Sequence, residues 1–339
     1  MKAMVLERLV SIETCDQPLR SMNVAKPEPQ TGEICIAVSA CGVCHTELDE
    51  IEGRSAPPRL PIIPGHEVVG RVESIGPSVR RFRPGDRVGV GWIHSSDGSN
   101  EENLSLDFRA TGRDANGGYA EFMTVGEDYA YPIPEQFTDA EAAPLLCAGA
   151  IGYRALRLCG LSDGQRLGLT GFGGSAHIVL QLARHLYPRA EIHVFARDAG
   201  SREFAKGMGA DWVGPTEARA PAGLDAIIDT TPAWTPVVSA LANLKPGGRL
   251  VINAIRKEDT DKIALQDLSY HEHLWMEREV KSVANITRRD IAEFLPLAAE
   301  IPIRPAISVY SLADANQALV SLKREPVRGA KVLLVNAST

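Results

Sequence analysis

The chain has 339 residues, a formal net charge of −7 and 44% hydrophobic against 23% charged residues, with a pI near 5.7. That length exceeds one ordinary core and implies two domains, while the acidic balance excludes nucleic acid and anionic membrane as main partners. No run approaches the ~18 apolar residues of a membrane span, and the start MKAMVLERLVSIETC lacks the apolar stretch and cleavage site of a secretory signal, so a cytoplasmic protein is expected.

In chain order, the first 130 residues carry short β-like runs broken by Gly and Pro: EICIAVSACG, EVVGRVESIG, DRVGVGWI and GGYAEFMTV. They predict an all-β region with tight turns. Near Thr138 the character changes, and TDAEAAPLLCAGAIGYRALRLCG opens with a helix-start signal. From Arg166 onward short apolar strands (RLGLTG, EIHVFAR, LDAIIDT, GGRLVIN, EVKSVAN) alternate with helices (GSAHIVLQLARHL, SREFAKGMGA, TPVVSALANLK). Such alternation means βαβ units and a parallel sheet. After Asn285, helices RRDIAEFLPLAAEI and LADANQALVSLK lead to a last strand, GAKVLLVN.

Two places carry chemistry. In LPIIPGHEVVGRV, His66 and Glu67 interrupt an apolar run, and burying either costs several kcal/mol unless it has a partner, on the order of 2–7 for a neutral polar group alone. A backbone carbonyl would serve for the imidazole, and so would a metal. The six cysteines at 15, 35, 41, 44, 147 and 159 are scattered, which favours metal ligation, catalysis or packing over a disulfide framework. Cys44 and Cys147 with His66 would make a zinc ligand set that leaves one position open. Their separation in sequence does not establish it, and Cys41-x-x-Cys44 also reads as a redox pair.

The second place is Gly171-x-Gly173-x-x-Ala176 between a strand and a helix, with Gly174 and Ser175 completing the turn. Gly171 allows the tight turn, Gly173 allows a pyrophosphate to approach the backbone, and the helix start offers free N–H groups. The next strand ends VFARD, with Ala196 where an acid for the ribose hydroxyls would stand and Arg197 beside it. That pair favours NADP(H) over NAD(H), whereas Asp198 would restore the acid if the strand ran further.

Taken together, CGVCHTEL, PGHEVVGRVESIGPSV, GDRVG, GGYAEF, APLLCAG, GFGGSA and GAKVLL follow one another over the whole chain. This series resembles the zinc-dependent medium-chain alcohol dehydrogenases, and among them the cinnamyl-alcohol-dehydrogenase-like bacterial group. The resemblance implies a two-domain α/β fold: a mostly-β GroES-like catalytic domain over 1–150, a doubly wound Rossmann domain over 151–285, and a return to the catalytic domain over 286–339. It implies alcohol and aldehyde substrates, one catalytic Zn²⁺ on Cys44, His66 and Cys147 with Glu67 or water as the fourth ligand, and a homo-oligomer, dimer or tetramer. By the same likeness Thr46 passes a proton from the substrate oxygen, Trp92 walls the substrate pocket, and His45 lies near the cofactor phosphates.

Departures from the family pattern are specific. Glu47 replaces the Asp that orients the zinc-binding His, and Asp49 replaces the His that completes a proton relay. The lobe that often holds a structural zinc on four cysteines is here WIHSSDGSNEENLSLDFRATG, with Asp97, Asn100 and Ser105 near the expected Cys positions. Hydrogen bonds and turn residues must therefore replace that metal, and no structural zinc is expected. A zinc-free quinone or enoyl reductase and a non-catalytic dinucleotide-binding protein are the competing readings.

Overall fold

The computed structural model describes residues 1–301, 303–325 and 329–335. The chain divides into two compact units, Met1–Ala150 with Asn285–Thr339, and Ile151–Ala284. Asn285 thus falls to the first unit. Among the described residues no helix is long and apolar enough to cross a membrane.

The first unit is built on a seven-stranded sheet ordered Ile307–Ser311, Ala330–Leu334, Glu33–Val43, Val68–Ile75, Arg87–Val90 and Ala130–Pro132, with Phe122–Gly126 also paired to Glu33–Val43. Glu33–Val43 is its spine. Ile34, Cys35, Ile36, Val38, Ala40 and Cys41 are all fully buried, so the strand reads as a near-continuous apolar run rather than a strict alternation. Each such Ile or Val stabilises the core by roughly 1.5–3 kcal/mol. Irregular register opposite Val68–Ile75 occurs at Cys35/Ile36 and at Val38/Ala40, and bulges of this kind bend and re-aim a strand. The helix Arg288–Glu300 starts at Thr287 with a reciprocal capping box to Asp290.

Three segments of this unit escape the sequence patterns. Lys2–Val5 pairs with Arg20–Asn23, Ile307–Ser311 joins the sheet edge, and His45–Ile51 is a short helix. HTELDEI has no apolar period, and Thr46 to Ile51 are all buried, so packing rather than amphipathicity holds that helix. Asn336, which ends the expected last strand, lies outside the described residues.

The second unit is a six-stranded sheet ordered Trp212–Gly214, Glu191–Phe195, Arg166–Thr170, Leu224–Asp229, Leu244–Ile252 and Glu279–Ser282. Every pairing in it is parallel. The strand order reverses between Arg166–Thr170 and Leu224–Asp229. That is the switch point at which open α/β sheets leave a crevice for a ligand, and it makes this the doubly wound fold expected from the sequence.

Candidate metal and dinucleotide sites

Backbone pairing gathers the first site. Cys41 stands opposite Val68 in the antiparallel sheet, and Gly42 N–H donates to Glu67 O at 2.9 Å. Cys44, just past one strand, therefore meets His66, just before the other. Gly42 has to be glycine, because a Cβ there would run into the Glu67 side chain. Cys147 sits at the break between the 3₁₀ turn Ala143–Leu146 and the helix Ala148–Cys159. Donor atoms of Cys44, His66, Glu67 and Cys147 all lie within 4.8 Å of one another, and His66 Nε2 is 3.2 Å from Cys147 Sγ. With Zn–S of ~2.3 Å and Zn–N of ~2.0–2.1 Å, a tetrahedral site separates its donors by roughly 3.5–3.8 Å. The cluster has the size of such a site.

The helix His45–Ile51 supplies the support. Glu47 Oε2 accepts from Cys44 N–H at 2.8 Å, while Glu47 Oε1 lies 2.6 Å from His66 Nδ1. The extra methylene relative to Asp is thus accommodated: the carboxylate caps the helix with one oxygen and orients the imidazole with the other. Thr46 Oγ1 lies 3.6 Å from Cys44 Sγ, at the mouth of the cluster, and His45 is exposed on the first turn. Asp49, the residue at the relay position, is held by an ion pair. Its buried Oδ1 takes Nε and Nη2 of Arg54, each at 2.7 Å. Glu50, which no sequence pattern singles out, is buried with both carboxylate oxygens lacking a hydrogen-bond partner.

The charges fit a dication. Burial, with Glu47 and Cys44 nearby, pushes Glu50 well above the usual carboxylate range. Burial and the Cys44 thiolate do the same to Glu67. Hydrogen bonding from Cys147 pulls Cys44 well below an ordinary thiol, and giving that bond together with burial drives Cys147 well up. Burial alone would lower the His66 pKa, but Glu47 and Cys44 outweigh it and raise it well above the ordinary value. Acidic donors packed this closely must either keep protons or share a cation, and a divalent metal removes the conflict.

Trp92 stands over this group, its ring 6.1 Å from that of His66 and 5.6 Å from that of Phe108.

In the second unit Gly171 follows the strand Arg166–Thr170 with φ of +78°, and a Cβ there would meet Thr230 Oγ1 at 2.8 Å. Gly173 has open space where a Cβ would be, and Gly174 and Ser175 lead into the helix Ala176–Leu186. The neighbouring strand ends at Phe195, with Ala196 buried and Arg197 exposed. Asp198 caps the helix Ala199–Gly207, its Oδ1 accepting Ser201 N–H at 2.7 Å. At the switch point Thr170 Oγ1 donates to the buried Asp229 at 2.5 Å, and Lys257 binds Asp229 together with the carbonyls of Thr231 at 2.7 Å and Ala233 at 3.0 Å. Nothing local in the sequence marks Lys257, which lies beyond the next strand, Leu244–Ile252, along the chain.

Residues 30–135 match the alcohol dehydrogenase GroES-like domain. The chain is 43% identical over 94% of its length, and 93% of the relative's, to a probable alcohol dehydrogenase AdhA of Mycobacterium tuberculosis. The chain belongs to the zinc-type medium-chain alcohol dehydrogenase family. It is also 33% identical to an alcohol dehydrogenase of Geobacillus stearothermophilus, covering 99% of this chain and 100% of that one. A solved cinnamyl alcohol dehydrogenase of Sorghum bicolor superposes with a TM-score of 0.83 at 26% identity, covering 100% of this chain and 98% of that one. This alcohol dehydrogenase is accordingly an NAD(P)-dependent alcohol/aldehyde oxidoreductase.

Within this dehydrogenase the cysteine-free lobe is braced by a buried acid. Glu102 accepts Arg288 N–H at 2.6 Å, Arg288 Nε at 2.9 Å and Ser96 Oγ–H at 2.7 Å. Arg288 Nη2 donates on to Gly98 O at 2.9 Å, and Asn285 Nδ2 to Asn103 O at 3.1 Å. Asp97 and Ser105 form turns, to Ser99 N–H at 3.0 Å and Asp107 N–H at 3.1 Å, and their side chains bond to each other. The expected hydrogen-bonded replacement for a metal clip is therefore present, but its centre is Glu102 rather than the residues at the cysteine positions.

Proposed function

We propose that this chain is a zinc-dependent alcohol dehydrogenase or aldehyde reductase for primary alcohols and aldehydes, with one zinc per chain and none of structural type, and with NADP(H) preferred over NAD(H). The carrying observation is the cluster of Cys44, His66, Glu67 and Cys147 donors within 4.8 Å. Bound there, Zn²⁺ would supply Lewis-acid polarisation of the substrate oxygen, and a nicotinamide would supply or accept the hydride. Cys44, His66 and Cys147 are the ligands in this reading, and Glu67 or water takes the fourth position. Thr46 moves the proton of the substrate hydroxyl, and Trp92 excludes water from one side of the reacting carbon. Gly171, Gly173, Gly174 and Ser175 receive the pyrophosphate. A zinc-free reductase would leave the buried Cys-His-Cys-Glu set without a task.

The cofactor preference is supported by the strand ending at Phe195 and by the commitment of Asp198 to a helix cap. No acid then faces the 2′ position from Ala196, and Arg197 can hold a 2′-phosphate through charge-assisted bonds. Self-association is supported by exposed Tyr270, Trp275, Met276 and Val280, which run up to and into Glu279–Ser282, the last strand of its sheet, since apolar residues beside an open edge are a docking feature. Metal analysis of reconstituted protein, an initial-rate screen of alcohols and aldehydes with both cofactors, and light scattering test the three parts. Two tightly held zincs per chain, or no turnover with either cofactor, would overturn the reading.

A further inference from the structure

We propose that His177 is a positioning residue for the pyrophosphate of the dinucleotide, acting through the peptide groups of the glycine turn without touching the cofactor. The inference rests on the reading of Gly171–Ala176 as the dinucleotide turn. His177 is fully buried in the first turn of the helix Ala176–Leu186, and its Nδ1 lies 2.9 Å from the Gly173 carbonyl oxygen. A carbonyl only accepts, so Nδ1 carries the proton. Burial lowers the pKa of this ring, and its bonds to the carbonyls of Gly173 and Gly174 work against that fall. The imidazole is packed beside Phe204, centroids 6.2 Å apart, and Phe204 in turn stands 5.4 Å from Phe172 of the turn itself.

The consequence follows from peptide geometry. In a trans peptide the C=O and the next N–H point in opposite directions. Holding the Gly173 and Gly174 carbonyls toward the helix turns the N–H groups of Gly174 and Ser175 the other way. The space beside Gly173 Cα is open, with nothing within 4 Å of a would-be Cβ. The backbone N–H of His177 also donates to Gly173 O, but at 3.4 Å; two adjacent glycines have the greatest backbone freedom of any pair, so without the imidazole these N–H groups would be ordered in larger part by the ligand itself. His177 orders them in advance, which is where preorganisation gains affinity.

The test uses the full-length protein and its variants His177→Leu and His177→Asn, titrated with NADPH and with adenosine 2′-monophosphate, which lacks the pyrophosphate. His177→Leu should bind NADPH about tenfold more weakly, ~1.4 kcal/mol, with KM for NADPH raised alike and kcat at saturation within about twofold. Binding of the monophosphate should be unchanged. The Asn amide can still donate to Gly173 O, so His177→Asn should recover most of the affinity. Equal NADPH affinity in wild type and His177→Leu overturns the proposal, as does an equal loss for the monophosphate, which would mark a merely structural residue. Should the wild type bind neither NADPH nor NADH, the cofactor reading has failed and the proposal falls with it; in the other two cases that reading stands.

Discussion

Replacing Glu47 by Gln should loosen the metal while leaving the fold in place. Glu47 makes two contacts at once: its Oε2 accepts Cys44 N–H at 2.8 Å, and its Oε1 is in ion-pair contact with His66 Nδ1 at 2.6 Å. Both contacts demand an acceptor. Holding the proton on Nδ1 leaves the Nε2 lone pair facing Cys147 and the other donors, the tautomer that a metal requires. A glutamine brings one oxygen and one NH₂ group, so whichever way it turns, one contact becomes donor against donor. Both side chains are buried, so water does not soften the loss. A hydrogen bond to a charged group is worth roughly 1.5–3 kcal/mol, which predicts zinc binding about 10–100-fold weaker, the range usual for the outer partners of metal-binding histidines. Glu47→Asp keeps two acceptors on a shorter arm and should lose less. Competition with a chromophoric chelator, read together with metal content, measures the affinity, and circular dichroism of the metal-free forms checks the fold. Zinc affinity of Glu47→Gln within about threefold of wild type would refute the argument.

Three further outcomes are expected. Arg197→Ala should lower kcat/KM for NADPH about tenfold, ~1.4 kcal/mol, and leave that for NADH within about twofold; a wild type that prefers NADH would show that Arg197 does not read the 2′ position. Asp49→Asn should lower thermal stability by about 1–2 kcal/mol, a buried-pair cost discounted because Arg54 is partly exposed, while the pH–rate profile of alcohol oxidation keeps its shape. An altered profile at unchanged stability would return Asp49 to the proton relay. Glu102→Ala removes the buried carboxylate that Arg288 and Ser96 share and should cost about 3 kcal/mol in the lobe, seen as faster hydrogen exchange confined to residues 92–112 and 285–290; exchange unchanged there would mean that the lobe is held by something else.

How much of this was legible in the sequence depends on how far the partners are apart and whether a periodic pattern joins them. The parallel sheet could be read because its inner strands Arg166–Thr170, Glu191–Phe195 and Leu224–Asp229 are almost wholly buried and the turn at Gly171 needs a glycine for two independent reasons, positive φ and contact with Thr230. Asp198, whose part was open in the sequence, is spent on Ser201 N–H. The metal cluster was visible as residue types, since two thiols and an imidazole have few other reasons to be buried together, but not as geometry. Its support was hardly visible at all. Cys44-x-x-Glu47 has the spacing of a capping box, which could have directed Glu47 to the Cys44 N–H, yet nothing in the spacing foretold that its second oxygen would reach His66. Glu102 and Arg288 lie 186 residues apart, and no local rule couples an acid in a polar loop to the first turn of a distant helix.

The acids on the helix His45–Ile51 show why composition misleads at such a place. A segment written HTELDEI looks like a solvated turn, and an isolated helix of that length would not persist in water. Instead its buried carboxylates are sorted by what each can reach. Glu47 takes a backbone N–H and the imidazole, Asp49 takes the Arg54 guanidinium, and Glu50, with no partner, is driven toward its neutral form by burial and by Glu47. Only one of these carboxylates therefore acts on the metal ligands directly. The negative charge that remains around Cys44, His66, Glu67 and Cys147 is the charge that a bound cation would neutralise, so the site is organised by the same electrostatics that makes it costly to leave empty.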